Sequence, residues 1–234
     1  VLGNSCTPGA VVEAAQRDGC RSIAYTYTEP TVFFEFAYET ARLAHNKGIR
    51  NVFVTNGYMT AEALEMINPY LDAANVDLKA FTDKYYKELC GAGLKHVQAT
   101  LKSMKSLGIF VEVTTLVVPG LNDNPSELSD LAAFIVQDLG PETPWHISRF
   151  HPTYKLTDRP STPVQTLTMA REIGLKAGLK YVYTGNVPGN AAENTFCFSC
   201  SETVIERRGF QVGNLRLKNG RCTKCGAEID GVWE

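Results

Sequence analysis

Residues 110–139 read FVEVTTLVVPGLNDNPSELSDLAAFIVQDL. Phe110–Val118 is a nearly continuous apolar, β-branched run, which suits a strand buried on both faces. A turn, Pro119-Gly120-Leu121-Asn122-Asp123, follows it. Asn124-Pro125-Ser126-Glu127 then supplies an N-cap, a proline at the first helical position and a glutamate able to close a capping box, ahead of the helical run LSDLAAFIVQDL. A buried strand feeding a capped helix is one βα unit of a parallel sheet.

The same grammar extends in both directions. Further apolar runs lie at Ser22–Tyr27, Asn51–Thr55, Ala73–Lys79, Pro144–Phe150 and Lys180–Gly185, at the spacing of successive right-handed crossovers. Thr162-Pro163-Val164-Gln165 repeats the capping pattern before LTMAREIGLKAG, where Gly178 is placed to end the helix. Over 31–47, Val32, Phe33, Phe36, Ala37, Thr40, Leu43 and Ala44 share one helical stripe and read as core. No G-x-G-x-x-G follows a strand, so the dinucleotide fingerprint of a doubly wound sheet is missing. The expected fold is α/β: a partial (βα) barrel over residues 1–190, then a small ribbon-like module over 191–234.

Composition excludes several classes. Apolar residues make up 44% and charged ones 21%, as in ordinary folded proteins. No run reaches the roughly 18 apolar residues of a membrane span, and the first residues lack a basic and apolar leader pattern. The expectation is a cytoplasmic protein with no membrane partner. A net charge of −2 disfavours a general nucleic-acid partner. The chain begins with Val, and its first apolar run starts by Ser22, which reads as a fragment.

In a parallel barrel, chemistry collects at the C-terminal strand ends. Here those ends carry Thr26, Thr28, Glu29 and Pro30; then Thr55, Asn56 and Gly57; then Asp77 and Lys79; then the 119–123 turn; then Arg149, Phe150 and His151; and last Thr184, Gly185 and Asn186. Singly, Asp77 and Lys79 could be an ion pair, Glu29 a helix-start anion, Asn56 a turn residue and His151 a solvated loop side chain. Jointly they fit a cleft for a zwitterionic ligand, with Lys79 holding a carboxylate and Glu29, with nearby carbonyls, receiving an ammonium. The sequence assigns no catalytic residue.

Cys197-x-x-Cys200 and Cys222-x-x-Cys225 are separated by 21 residues, near the four-cysteine zinc pattern. Two such knuckles close a tetrahedron with no open position, so the expectation is a structural zinc, with a rubredoxin-like iron or a cluster as the alternatives. Cys6, Cys20 and Cys90 have no ligand-like spacing and read as buried small residues or, for Cys6, a frayed end.

Glu29-Pro30, Thr55-Asn56-Gly57, Asp77-Leu78-Lys79 and Val118-Pro119-Gly120, in that order, resemble radical S-adenosylmethionine enzymes of the pyruvate formate-lyase activating-enzyme type. YTYTEPTVFFEFAYETARLAH, NVFVTNGYMT, NVDLKAF, PWHISRFHP, YVYTGNVPG and the closing cysteines together resemble, more closely, the radical enzyme of the AmmeMemoRadiSam system. The resemblance implies a partial (βα)6 barrel, here lacking its first strand. It implies a [4Fe-4S] cluster with one open iron, and S-adenosylmethionine whose reductive cleavage gives a 5′-deoxyadenosyl radical that abstracts hydrogen from substrate. It also implies a reductant such as flavodoxin or ferredoxin, and a substrate, small molecule or protein, that the sequence does not identify. By position, Glu29 and the adjoining backbone, between Thr28 and Pro30 of the S-adenosylmethionine-binding set, would meet the methionine ammonium and Lys79, beside Asp77, its carboxylate. Asn56, Arg149 and His151 would line the nucleoside or substrate end.

The chain departs from that pattern in three places. The C-x-x-x-C-x-x-C cluster motif is absent, so no residue of this chain is assigned as a [4Fe-4S] ligand and the ligands are expected upstream of Val1. Alone, such a fragment is expected to be inactive. The Gly-Gly that usually precedes Glu-Pro is Tyr27-Thr28. Val54 and Thr114 stand where glycyl-radical activases use an acid and an arginine, so activation of a glycyl-radical partner is not expected. Two rival readings are a Schiff-base aldolase using Lys79 and a non-catalytic partner-binding scaffold.

Overall fold

The computed structural model describes residues 5–233. In chain order its elements are α1 (Pro8–Arg17), β1 (Ser22–Tyr25), α2 (Phe34–His45), β2 (Arg50–Thr55), α3 (Ala61–Ile67), β3 (Ala73–Asp77), α4 (Asp83–Tyr85), α5 (Leu94–Ser106) and β4 (Phe110–Val117). Then come α6 (Pro125–Phe134), β5 (Trp145–Arg149), α7 (Val164–Ala177), β6 (Val182–Gly185), β7 (Thr195–Phe196), β8 (Thr203–Arg208), β9 (Gln211–Leu215), β10 (Leu217–Lys218) and β11 (Arg221–Cys222). Strands β1 to β6 form one parallel sheet in strictly sequential order. Sequential order is the connectivity of a (βα)-barrel strip, whereas a doubly wound sheet reverses direction partway. The expected fold class holds.

The described chain forms two compact units. One runs through Leu78 and includes Ala92–Glu112; the other comprises Lys79–Gly91 and everything from Val113 onward. In the first, α1 packs on α2 and the turn that follows it, around a core of Val12, Ala15, Ala44 and Ile49. The sequence reading missed α1, although Thr7-Pro8 carries the same N-cap signal as the later helices and Thr7 Oγ1 accepts the Ala10 N–H at 3.3 Å. The stripe over 31–47 is only partly core. Ala37, Thr40, Ala41 and Ala44 are buried, but Val32 is 79% exposed because Pro30–Phe33 forms a 3-10 turn that rotates it out of phase.

In the second unit Trp145 and Val182 pack on α7 at Gly174, where a Cβ would lie 2.9 Å from the Trp145 ring and 3.0 Å from Val182 Cγ2. Both expected capping boxes differ in detail. Asn124 caps α6 by accepting the Ser126 N–H at 2.8 Å, but Glu127 accepts the Phe81 N–H at 2.7 Å instead of closing a box. Thr162 does not cap α7. Its hydroxyl donates to Val117 O at 2.6 Å and accepts the Phe150 N–H at 3.0 Å, tying two strand ends together. Gly178 ends α7 as expected, with φ +111°.

Beyond β6, a three-stranded antiparallel sheet β7-β8-β9 and the hairpin β10-β11 share a core of Tyr181, Cys197, Val204, Ile205, Cys222 and Ile229. Asp230 joins this segment to the residues just before β6: Tyr181 Oη donates to its carboxylate at 2.8 Å and Lys180 Nζ lies 3.0 Å from it.

Candidate functional site

In the first unit the loops after β1 and β2 meet at one carboxylate. Glu29 Oε1 accepts the Thr31 N–H at 3.3 Å, the Thr31 hydroxyl at 3.2 Å and the Thr55 hydroxyl at 2.7 Å. Its Oε2 accepts the Asn56 N–H at 2.7 Å. Glu29 is therefore first a staple between two loops. A carboxylate offers about four lone-pair sites, so Oε2 retains one for an incoming ammonium. Asn56 Oδ1 accepts the Tyr58 N–H at 2.7 Å, which turns the chain after β2. Gly57 is required in that turn, having φ +71° and a position where a Cβ would fall 2.7 Å from Val76 Cγ1. Thr28 is exposed, Pro30 is buried, and Asp77 ends β3 half-buried. Tyr27, where the resemblance expects glycine, keeps a left-handed φ of 66° and is 99% exposed. The glycine-like backbone persists there at a steric cost.

In the second unit Lys79 is held by its backbone. Its N–H donates to Tyr86 Oη at 3.1 Å, and its carbonyl accepts from Asn122 Nδ2 at 2.6 Å. Asn122, 1% exposed, also donates to Leu116 O at 2.9 Å and accepts the Val118 N–H through Oδ1 at 2.7 Å. Sequence reasoning registered Asn122 only as a turn residue. Burial pushes the Cys90 thiol up, and the charge of Lys79 opposes that shift. Arg149 donates through Nε to Thr162 O at 2.8 Å, which fixes its guanidinium plane. His151 is exposed, with Nδ1 3.2 Å from Ser161 Oγ. The structure thus brings Glu29 and Asn56 into contact in one unit, and places Arg149 and His151 beside the 161–162 segment in the other.

Sequence reasoning missed His146 and Tyr183. They are register partners on β5 and β6 whose rings stack at 5.0 Å and 20°. Parallel-sheet register is a long-range property, and no local signal announces the pair.

The four cysteines converge. Their Sγ atoms all lie within 4.8 Å of one another, with Cys197–Cys225 at 3.6 Å and Cys200–Cys222 at 3.8 Å. Zinc–sulfur bonds of about 2.3 Å give a tetrahedral edge of about 3.8 Å, so one tetrahedral ion fits this set. A four-iron cluster places each thiolate on a different iron and needs them farther apart. The knuckles are built alike: Ser201 N–H donates to Cys197 O at 2.8 Å and Gly226 N–H to Cys222 O at 2.9 Å. Ser201 and Gly226, each four residues after the first cysteine of its pair, both have left-handed φ. Glu202 buttresses the set through ion pairs with Arg216 and, at 3.1 Å, Lys224. Among the described residues this is the one group of three or more metal-ligating side chains. Cys20 is exposed rather than buried, as is Cys6, and Cys90 is half-buried. No helix among the described residues is long and apolar enough to cross a membrane.

A sequence profile of the Radical SAM superfamily matches residues 8–135. An uncharacterized protein of Methanocaldococcus jannaschii is 50% identical over 228 residues, covering 97% of this chain and 68% of that protein. The isethionate sulfite-lyase activating enzyme of Nitratidesulfovibrio vulgaris is 28% identical, covering 48% of this chain and 37% of that enzyme. The pyruvate formate-lyase-activating enzyme of Clostridium pasteurianum is likewise 28% identical, with 43% and 42% covered. The matched segments thus span less than half of either activating enzyme. In fold it resembles a domain of the Bacteroides vulgatus pyruvate-formate lyase-activating enzyme, at TM-score 0.61 and 14% identity, covering 70% of this chain and 98% of that one. It also resembles Streptococcus suis SuiB bound to S-adenosylmethionine, at TM-score 0.64 and 14% identity, covering 80% and 45%. The chain belongs to the radical SAM superfamily. Membership implies S-adenosylmethionine and an iron-sulfur cluster as the family's cofactors.

Proposed function

We propose that this chain forms the S-adenosylmethionine-binding and substrate-facing part of a radical enzyme of the AmmeMemoRadiSam type. The observation that carries this reading is the Glu29–Asn56 staple, a charged strand-end contact at 2.7 Å in a chain of this superfamily. When bound, the cluster and S-adenosylmethionine would supply a 5′-deoxyadenosyl radical for hydrogen abstraction from a substrate. The chain's own residues bind and orient. Glu29 fixes the two loops and offers its remaining lone pair to the methionine ammonium, with Thr28 and Pro30 shaping that loop. Lys79, beside Asp77, is assigned to the carboxylate, and Asn56, Arg149 and His151 to the nucleoside or substrate end. The four cysteines hold a structural zinc within the module 191–234, and 1–190 is the radical core. A cytoplasmic setting and a one-electron donor such as flavodoxin or ferredoxin complete the proposal.

The test has two arms. Equilibrium dialysis of the purified chain against labelled S-adenosylmethionine should show saturable binding that Glu29→Ala and Lys79→Ala each weaken at least tenfold, about 1.4 kcal/mol. A polypeptide with a C-x-x-x-C-x-x-C segment ahead of residue 1, reconstituted anaerobically with iron and sulfide, should then form 5′-deoxyadenosine on reduction. No nucleoside above a cluster-free control would defeat the reading.

A further inference from the structure

The four-cysteine segment has a polar connection to the sheet that the roles above leave unused. His146 and Tyr183 lie on the strand face opposite Trp145 and Val182, the residues that pack on Gly174 of α7. The Tyr183 hydroxyl is 3.0 Å from Thr195 Oγ1. Arg207 Nη1 donates to that same oxygen at 2.6 Å, and its guanidinium carbon lies 5.9 Å from the Tyr183 ring centroid, within cation–π reach. Arg207 is itself fixed, its backbone N–H donating to Asn194 Oδ1 at 2.7 Å. Thr195 is 3% exposed and stands two residues before Cys197. Arg207 lies on β8, whose Val204 and Ile205 pack with Cys197 and Cys222.

We infer that the metal-binding segment positions the Tyr183–His146 pair. Arg207, acting through Thr195, orients the Tyr183 phenol and with it the imidazole stacked on its ring. A hydroxyl has one proton and two lone pairs. With one lone pair taken by a charged donor, Thr195 meets Tyr183 in a restricted geometry, and charge-assisted bonds of this kind are the strong ones. The consequence is a phenol and an imidazole presented together on the face of β5–β6 away from α7, suited to a substrate that carries hydrogen-bonding groups. That substrate assignment rests on the radical-enzyme reading; the positioning does not. Packing of the arginine without transmission would leave His146 unaffected, so the His146 ring reports the difference.

The chain contains four histidines, so their ring C–H resonances can be followed individually by NMR in the metal-loaded chain. Thr195→Val and Arg207→Met should each shift the His146 ring resonances while His45, His96 and His151 stay in place. Thr195→Ser, which keeps the hydroxyl, should restore the wild-type positions. In a Tyr183→Phe background the response to Arg207→Met should shrink, because the hydroxyl that receives the signal is gone. An unmoved His146 in both the Val and Met variants overturns the inference, and so does a Ser variant that fails to restore. Should Thr195→Val not fold, the comparison of Arg207→Met with and without Tyr183→Phe decides. A chain whose His146 responds but which binds no S-adenosylmethionine would keep this inference and remove the radical-enzyme assignment.

Discussion

Asn122 Nδ2 donates to the backbone carbonyl of Lys79 at 2.6 Å, from a side chain that is 1% exposed. That bond ties the residue expected to hold a carboxylate to the loop after β4. Asn122 makes two further bonds, to Leu116 O and from Val118 N–H, so it is the keystone of this strand end. Removing it takes a partner from three backbone groups. Asn122→Ala should cost about 2–4 kcal/mol, since each buried polar group left unpaired costs about 1–3 kcal/mol and the losses overlap. Asn122→Asp should do no better, because it turns two carbonyl-facing donors into an acceptor. Urea melts of both variants check this, and a midpoint within error of wild type contradicts it.

Glu29 accepts from four groups: the Thr31 N–H and hydroxyl, the Thr55 hydroxyl and the Asn56 N–H. Glutamine there turns an NH2 group toward either the Thr31 N–H at one oxygen position or the Asn56 N–H at the other, and neither can accept it. Glu29→Gln should therefore destabilise the chain by about 1–3 kcal/mol and speed hydrogen exchange at Asn56. Because Thr55 is only 2% exposed and is out of a ligand's reach, Thr55→Val should reproduce part of the exchange effect. Wild-type protection at Asn56 in both variants would make Glu29 a free ligand rather than a staple.

Local patterns announced most of this molecule. The run 110–118 became β4, and the starts near 51, 73, 144 and 180 fell within two residues of β2, β3, β5 and β6, because two-face burial leaves continuous apolar runs that any parallel sheet must show. Residues with two possible partners were harder to read. Glu127 and Thr162 sit in helix-start sequences, but tertiary partners at Phe81 and Val117 captured their polar atoms. The cysteine knuckles were legible because each is a local turn. The stacking of His146 on Tyr183 depends on sheet register and left no local trace.

Glu127 offers a pH test. Burial is the largest influence and raises its carboxyl above the ordinary value, Asp130 and Asp123 add to the rise, and the Phe81 N–H opposes it. A folded-state value above the unfolded one favours the fold below the unfolded value, and that contribution is lost as pH rises through the folded value. Above that folded value the ionised carboxylate is thus held at a cost. Glu127→Gln keeps an oxygen for the Phe81 N–H and carries no charge. Its stability relative to wild type should rise as pH increases from the ordinary carboxylate range upward. Parallel curves of melting temperature against pH for the two proteins would contradict this.

Metal removal should act on one end of the chain. The segment from about residue 191 has a core made largely of Val204, Ile205, Ile229 and the buried cysteines Cys197 and Cys222, which is little apolar area for so short a stretch. Four thiolates brought within 4.8 Å repel one another unless an ion holds them, so binding free energy becomes folding free energy here. Cys222→Ser should reduce bound zinc well below the roughly one equivalent of a closed four-thiolate site and open 191–233 to protease. The Tyr181–Asp230 bond at 2.8 Å should carry the loosening to the start of β6, while β1 to β5 keep their protection. Elemental analysis and limited proteolysis read both effects. Iron in place of zinc in the purified wild-type chain would reject the zinc assignment, and an intact tail in the metal-free variant would show that the apolar core suffices.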